Sequence, residues 1–154
     1  MLRRSVLGAI AGLLLIGGAG MAMGKTLIYA SAMSGQLVDG SGRPAAGVTI
    51  TRTWQTSSKT GSDSTTTDDD GRFAFGSVEQ RSLFGGLNPG TPLIDQQFTH
   101  DMTGTPKMFL RMSKRSFGPN SELDGRPINL VCRADTDPEP GPGPILSSTC
   151  RILD

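Results

Sequence analysis

Short runs of alternating apolar and polar residues constrain the fold of this chain more than any other feature of its sequence. In VTITRTWQ, residues 48–55, the side chains of Val48, Ile50 and Trp54 share one face with Arg52, while threonines and a glutamine occupy the other. The same period recurs in GRFAFG at 71–76, KMFLRM at 107–112 and INLVCR at 128–133. A period of two with β-branched residues predicts half-buried strands.

Turn-forming residues separate these runs. DGSGRPAAG at 39–47, NPGTP at 88–92 and DGRP at 124–127 are rich in glycine and proline. No long helical pattern follows the first 24 residues. About seven short strands with turns between them predict an all-β chain that folds as a seven-stranded antiparallel β-sandwich.

The acidic triplet Asp68–Asp70 lies inside STTTDDDGRFAF, residues 64–75. We interpret STTT as the end of one strand, DDDG as a turn and RFAF as the start of the next strand. A calcium site that uses Asp68 and Asp70 is the weaker alternative. In an EF-hand alignment on Gly71, Ser77 stands where a bidentate glutamate is required. No cofactor is otherwise predicted.

The N-terminus has the composition of a leader. Arg3 and Arg4 precede an uncharged run, residues 6–23, which is rich in glycine and alanine toward its end. This pattern predicts a secretory signal peptide, or alternatively an uncleaved helix that tethers the chain to the inner membrane. Small residues that suit cleavage occur at Gly20 and Ala22 and again at 30–32, where ASA is the better match. We therefore divide the chain into a leader, 1–32, and a β-sandwich domain, 33–154.

Both forms of the leader place the rest of the chain outside the cytoplasm, since the positive end stays inside. The predicted location is periplasmic or extracellular. In such an oxidising compartment the two cysteines, Cys132 and Cys150, are expected to form a disulfide rather than remain as buried thiols. The bridge would close a loop that is rich in proline and glycine.

Charge and motifs exclude several classes of function. Without residues 1–32 the chain has two more acidic than basic residues, which does not suit a nucleic-acid-binding surface. The chain has one histidine, His100, and no nucleophile-elbow, P-loop or dinucleotide motif. A lone histidine beside Asp101 is more often an ordinary polar residue than a catalyst. The sequence therefore predicts a protein without enzymatic activity.

Two segments are candidates for contact with a partner. The first, 78–90, contains Leu83 and Phe84, and the second, 112–117, contains Lys114, Arg115 and Phe117. Aromatic and arginine side chains are the anchors that protein interfaces favour. The alternative is structural: the apolar residues of the first segment close one end of the sandwich, and Phe117 packs into its core.

Residues 35–54, GQLVDGSGRPAAGVTITRTW, together with 65–75, TTTDDDGRFAF, resemble the carboxypeptidase regulatory-like domains. Those domains are transthyretin-like β-sandwiches. The positions that carry the resemblance are Gly35, Val38, Asp39, Gly42, Pro44, Gly47, Val48, Thr67, Asp68, Gly71, Arg72 and Phe73. The resemblance implies an accessory or carrier-binding module rather than a catalyst. The proline-rich cysteine loop departs from the family pattern.

The whole arrangement is also similar to small bacterial envelope proteins associated with type VI secretion loci, where periplasmic proteins neutralise toxic effectors. This similarity implies that the chain binds a protein partner, as an immunity or inhibitor protein does. The alternative is an accessory domain that binds a carbohydrate or another small ligand. Only one tryptophan and one tyrosine are present to stack against sugars, which disfavours that alternative.

Overall fold

The computed structural model describes residues 24–83 and 91–154, and in these residues the chain is all-β. The one helical element in this part is a 3-10 turn, Ser121–Leu123. The strands are β1 (Lys25–Ala30), β2 (Met33–Val38), β3 (Thr49–Gln55), β4 (Thr60–Thr66), β5 (Arg72–Phe75), β6 (Val78–Ser82), β7 (Ile94–His100), β8 (Lys107–Lys114), β9 (Ile128–Arg133), β10 (Glu139–Pro140), β11 (Ile145–Ser148) and β12 (Cys150–Ile152).

The sequence predicts about seven strands, while the described residues contain twelve. β1 lies within the predicted leader, 1–32. β10, β11 and β12 are two to four residues long, too short for alternation to be recognised. The predicted N-terminal helix falls on residues outside the described part of the chain.

The strands form three sheets. The largest has six antiparallel strands in the order β10-β11-β8-β7-β3-β4. The second has four, β12-β9-β2-β5, and the third is a ribbon of β1 and β6. β2 and β9 pair in parallel, so the prediction of a wholly antiparallel arrangement is wrong at this pair. Parallel neighbours need a crossover, and here most of the six-stranded sheet lies between β2 and β9 in the chain.

The six-stranded and four-stranded sheets share one hydrophobic core. Ile50, Phe98 and Leu110 of the larger sheet belong to the same buried cluster as the smaller sheet's apolar residues. Two ring contacts cross between the sheets, at centroid distances of 5.9 Å for Phe75–Phe98 and 6.3 Å for Phe73–Phe109. The alternating apolar residues that the sequence predicts to face inward, such as Phe73 and Phe75, therefore lie between the two sheets.

One glycine is required by this packing. A Cβ built on Gly35, in β2, would lie 2.5 Å from Cζ of Phe73. The ring of Phe73 therefore occupies the space that a side chain at position 35 would need.

The acidic triplet forms a tight turn. The Oδ1 atom of Asp68 accepts hydrogen bonds from the backbone N–H groups of Asp70 and Arg72, at 2.9 and 2.8 Å. Gly71 has a φ of +70°, a conformation that glycine adopts without strain. The turn connects β4 of the six-stranded sheet to β5 of the four-stranded sheet, so it joins two layers instead of forming a hairpin.

The sequence DGSGR repeats this design at 39–43. Oδ1 of Asp39 accepts hydrogen bonds from the hydroxyl and N–H of Ser41 and from the N–H of Arg43. These bonds, led by the one from the Ser41 hydroxyl, lower the pKa of Asp39 to about 2. Both turns thus contain an aspartate, a glycine three residues later and an arginine directly after the glycine: Asp39, Gly42 and Arg43 in one, Asp68, Gly71 and Arg72 in the other.

A disulfide joins Cys132 of β9 to Cys150 of β12, the pairing that the sequence predicts. The two residues are direct partners in the antiparallel register of these strands. The enclosed loop leaves the four-stranded sheet, adds β10 and β11 to the six-stranded sheet, and returns through β12. The bridge therefore closes a connection that spans both layers.

We expect reduction of this bridge to lower the free energy of unfolding by about 3 kcal/mol, because it closes a loop of this length in the unfolded chain. Urea unfolding with and without dithiothreitol measures the loss. The unfolded, unreduced protein should show no free thiol on labelling. Two labelled cysteines per chain would contradict the bridge.

Candidate functional site

The predicted contact residues separate into three groups in the structure. Leu83 directly follows β6 and is 74% exposed. Arg115 is exposed and Phe117 is half-buried, both in the segment after β8. Lys114 is buried, and Phe84 lies outside the described residues.

An open cleft of about 530 Å³ brings part of this set together. Lys25 and Ile28 of β1 form one wall, and residues 115–119 form the other, with Pro92 between them. The backbone N–H of Ile28 donates a 3.0 Å hydrogen bond to the carbonyl of Phe117, which ties the two walls together. We call this the ribbon cleft. It combines two exposed cations, Lys25 and Arg115, with apolar side chains such as Ile28 and Phe117.

Aromatic rings support the ribbon cleft from beneath. The ring centroid of Tyr29 lies 5.4 Å from that of Phe117 and 5.0 Å from that of Trp54. Nζ of Lys59 lies 5.4 Å from the Tyr29 centroid on the same ring stack. Phe117 is therefore held in place by packing against Tyr29.

Leu83 lies beside the ribbon cleft. Lys25 pairs with Ser82 across the ribbon, and the side chain of Leu83 approaches Gly24 at the start of β1. A second exposed leucine, Leu93, follows Pro92 of the cleft and is 59% exposed. Two exposed leucines therefore lie in sequence next to residues of the ribbon and of the cleft.

Lys114, which the sequence predicts as a contact residue, faces the interior of the domain in this fold. Nζ lies 3.5 Å from Oε2 of Glu122, and both side chains are completely buried. Nζ also donates to the carbonyl of Gly118 at 3.0 Å and to the hydroxyl of Ser31 at 3.2 Å. The alternation of β8 directs Lys114 inward and its neighbour Arg115 outward. The buried ammonium group therefore lies inside the domain, where it binds the carbonyl of Gly118, a residue of the cleft.

Glu122 accepts hydrogen bonds from several groups. Ser31 donates its hydroxyl at 2.7 Å and its backbone N–H at 3.2 Å, and Gln96 donates its amide at 2.8 Å. Burial raises the pKa of Glu122, but Lys114 and these bonds outweigh burial, so the net pKa is lower than usual. Burial lowers the pKa of Lys114, and Glu122 offsets that change only in part.

A second buried cation, Arg52, lies in β3 with no exposed surface. Its guanidinium binds both carboxylate oxygens of Asp63, the carbonyl of Ser31 at 3.0 Å and that of Gly76 at 2.8 Å. It also stacks 4.7 Å from the centroid of Phe75. The sequence signal for this burial was available, because the period of two places Arg52 on the same face as Ile50.

His100 is enclosed as well, at 1% exposure. Its Nε2 donates to the carbonyl of Ala134 at 2.9 Å, and its Nδ1 accepts from the N–H of Met102 at 3.3 Å. Burial lowers the pKa of His100, so the ring is neutral at physiological pH. Both ring nitrogens are thus engaged within the fold.

The Oδ1 atom of Asp68 accepts two turn N–H groups, as described above. Over residues 24–83 and 91–154, no group of three or more His, Cys, Asp or Glu side chains is placed to bind a metal ion. No helix in the same residues has the length and hydropathy needed to cross a membrane.

Comparison with known proteins identifies the family. Residues 33–136 match the family described as Domain of unknown function (DUF6795). The chain belongs to this family. The matched region runs from β2 to just beyond β9, and β1 and the strands from β10 to β12 extend beyond it. No curated protein and no solved structure matches the chain.

Replacing Lys114 by methionine should destabilise the fold by about 3–5 kcal/mol, because the carboxylate of Glu122 would remain buried without its cation. The double variant Lys114→Met/Glu122→Leu should recover much of that loss. Arg111→Met, which breaks a solvent-exposed pair with Asp95, is the control and should cost at most about 1 kcal/mol. Equal losses for Lys114→Met and Arg111→Met in urea unfolding would contradict the buried pair.

Stability should also depend on pH through Glu122. The folded pKa of Glu122 lies below its ordinary value of 4.5, so in the interval between the two values the unfolded state binds more protons. Its contribution is complete above that ordinary value and is lost as the pH falls through the folded pKa. The unfolding midpoint should therefore fall in acid, and Glu122→Gln should flatten this fall. If the unfolding midpoints of the wild type and Glu122→Gln fall equally with decreasing pH, the carboxyl of Glu122 does not contribute to the pH dependence of stability.

Proposed function

We propose that this chain is an exported, non-catalytic β-sandwich of the transthyretin-like kind that binds a protein partner in the bacterial envelope through the ribbon cleft. The observation that carries the proposal is the grouping of exposed Lys25 and Arg115 on a cleft that also contains Ile28 and Phe117, with exposed Leu83 next to β1. Such a cleft suits a partner segment with apolar side chains and acidic groups, since the two cations at its rim attract carboxylates.

Two features support export. The leader has a basic start followed by an uncharged run, and the domain contains a disulfide, which persists in oxidising compartments. If residues 6–23 are not removed, they would serve as a membrane tether. The domain would then act on the outer side of the inner membrane.

The engagement of the reactive side chains supports a binding role. His100, Lys114 and Glu122 are buried and hydrogen bonded, and both cysteines are bridged. A catalyst needs its acid, base or nucleophile within reach of a substrate. In this fold these groups stabilise the interior of the domain.

The most concrete form of the proposal is an immunity protein that inhibits a secreted effector of the type VI kind. A rigid sandwich that presents a preformed cleft would lose little entropy on binding. The arginine Arg115 would then pair with an acidic group of the effector, and Leu83 would cover an apolar patch.

A polar groove favours a second candidate, the binding of a carbohydrate or small ligand. It lies on the outer side of the six-stranded sheet, where Thr53, Gln55, Gln97 and the Asp95–Arg111 pair line it. A few convergent polar groups of this kind can orient a small ligand. The groove is wide and open, however, while ligand sites usually enclose most of their ligand.

Pull-down of the tagged domain from envelope extract should capture one protein in stoichiometric amount. Arg115→Glu and Leu83→Ala should each weaken its binding by about tenfold or more, as expected for interface anchors. Arg133→Glu and Leu146→Ala are the controls, because they make the same changes at exposed positions away from the cleft.

Unchanged binding in both cleft variants would exclude the ribbon cleft as the contact surface. If no protein is captured and soluble glycans change the fluorescence of Trp54, the second candidate would replace the first.

A further inference from the structure

The leader pattern contains two candidate cleavage sites, at Gly20–Ala22 and at 30–32, and the second would release a chain that begins at Met33. We infer that the leader ends before Lys25, that the ASA site at 30–32 is not cleaved, and that β1 remains in the exported protein as one wall of the ribbon cleft. The inference rests on the export proposed above, but the contacts that carry it do not depend on the identity of the partner.

Residues 29–31 are part of the interior. Tyr29, Ala30 and Ser31 have relative exposures of 7, 0 and 3%. Tyr29 packs between Trp54 and Phe117, as described above. Removal of these residues would uncover two aromatic rings and open the ribbon cleft from beneath, which costs free energy in proportion to the apolar area exposed.

Ser31 links the buried charges to one another. Its hydroxyl donates to Glu122 and accepts from Nζ of Lys114 at 3.2 Å and from the N–H of Asn120 at 2.8 Å. Its carbonyl accepts from Arg52. A chain that began at Met33 would leave the buried groups of these residues without partners. Unpaired buried polar and charged groups are among the most destabilising features a fold can contain.

A cut after Ala32 would also place a charged amino group at the wrong position. Met33 is the first residue of β2 and is 5% exposed. It pairs with Phe75 on one side and with Ile128 on the other. A new N-terminal ammonium would therefore begin between two strands of the four-stranded sheet, close to the positive charges of Arg52 and Lys114.

The ribbon depends on β1 as well. β1 is the pairing partner of every residue of β6, from Val78 to Ser82. Without β1, β6 would be an unpaired strand with free backbone groups, which favours aggregation. A cut at Gly20–Ala22 has none of these effects, because Gly24 is exposed at the start of the ribbon. That site itself lies outside the described residues.

Intact mass of the full chain tests the inference directly. The chain is expressed with a C-terminal tag in a bacterial host, purified from the envelope fraction and weighed after reduction. We expect a product that begins between residues 21 and 25, or one that keeps its leader, since β1 is retained in both. A product that begins at Met33 would overturn the inference.

Two substitutions of the same kind locate the cut. Ala32→Leu, at an exposed position, should leave the product unchanged apart from the mass of the substitution, and Ala22→Leu should slow or shift processing. Blocked processing in Ala32→Leu would count against the inference.

Fractionation of the protein into the cytoplasm would contradict the proposed export but not the packing of β1. A comparison of stability tests that packing independently. Ser31→Ala should lower the urea midpoint of the purified chain clearly more than Ser34→Ala. Ser34 is an exposed serine with one hydrogen bond, to Asn129. Equal midpoints for the two variants would mean that β1 and its link to β2 are not held in the fold.

Discussion

Three charged side chains, Arg52, Lys114 and Glu122, lie inside the domain, and the surrounding structure is arranged to satisfy them. Burial of a charge is costly unless it is paired and hydrogen bonded. Arg52 comes from β3, Lys114 from the end of β8 and Glu122 from the 3-10 turn, so the cluster joins parts of the chain that are far apart. All three contact Ser31, which connects the ribbon to the four-stranded sheet. Every buried side-chain nitrogen and oxygen in the described residues has a partner.

The two larger sheets share one hydrophobic core, and the polar cluster adds the link to the ribbon through Ser31. A hydrophobic core tolerates many arrangements of similar volume, while a buried ion pair with defined hydrogen bonds fits few. We regard the polar cluster as the element that sets the position of the ribbon relative to the two larger sheets. The layers themselves are joined by the Asp68 turn and by the loop that the disulfide closes.

The ribbon cleft owes its shape to the same cluster. Lys114 holds the segment 115–119 through the carbonyl of Gly118, and Ser31, which follows β1, binds both Lys114 and Glu122, so both walls are anchored to one set of bonds. A surface with this support changes little on binding, which favours recognition by a preformed shape. The proposed binding function and the proposed leader boundary thus depend on the same residues, although separate experiments test them.

The sequence alone determined the all-β class, the turn at Asp68–Asp70 and the pairing of the two cysteines, because alternation, turn chemistry and cysteine number are local properties. It also indicated that Arg52 faces inward. Only the tertiary structure decided that Lys114 is buried, that β2 and β9 are parallel, and that Lys25–Ala30 form a strand. These outcomes depend on contacts between distant residues, such as Ser31 with Glu122, and no local pattern encodes which distant groups will meet.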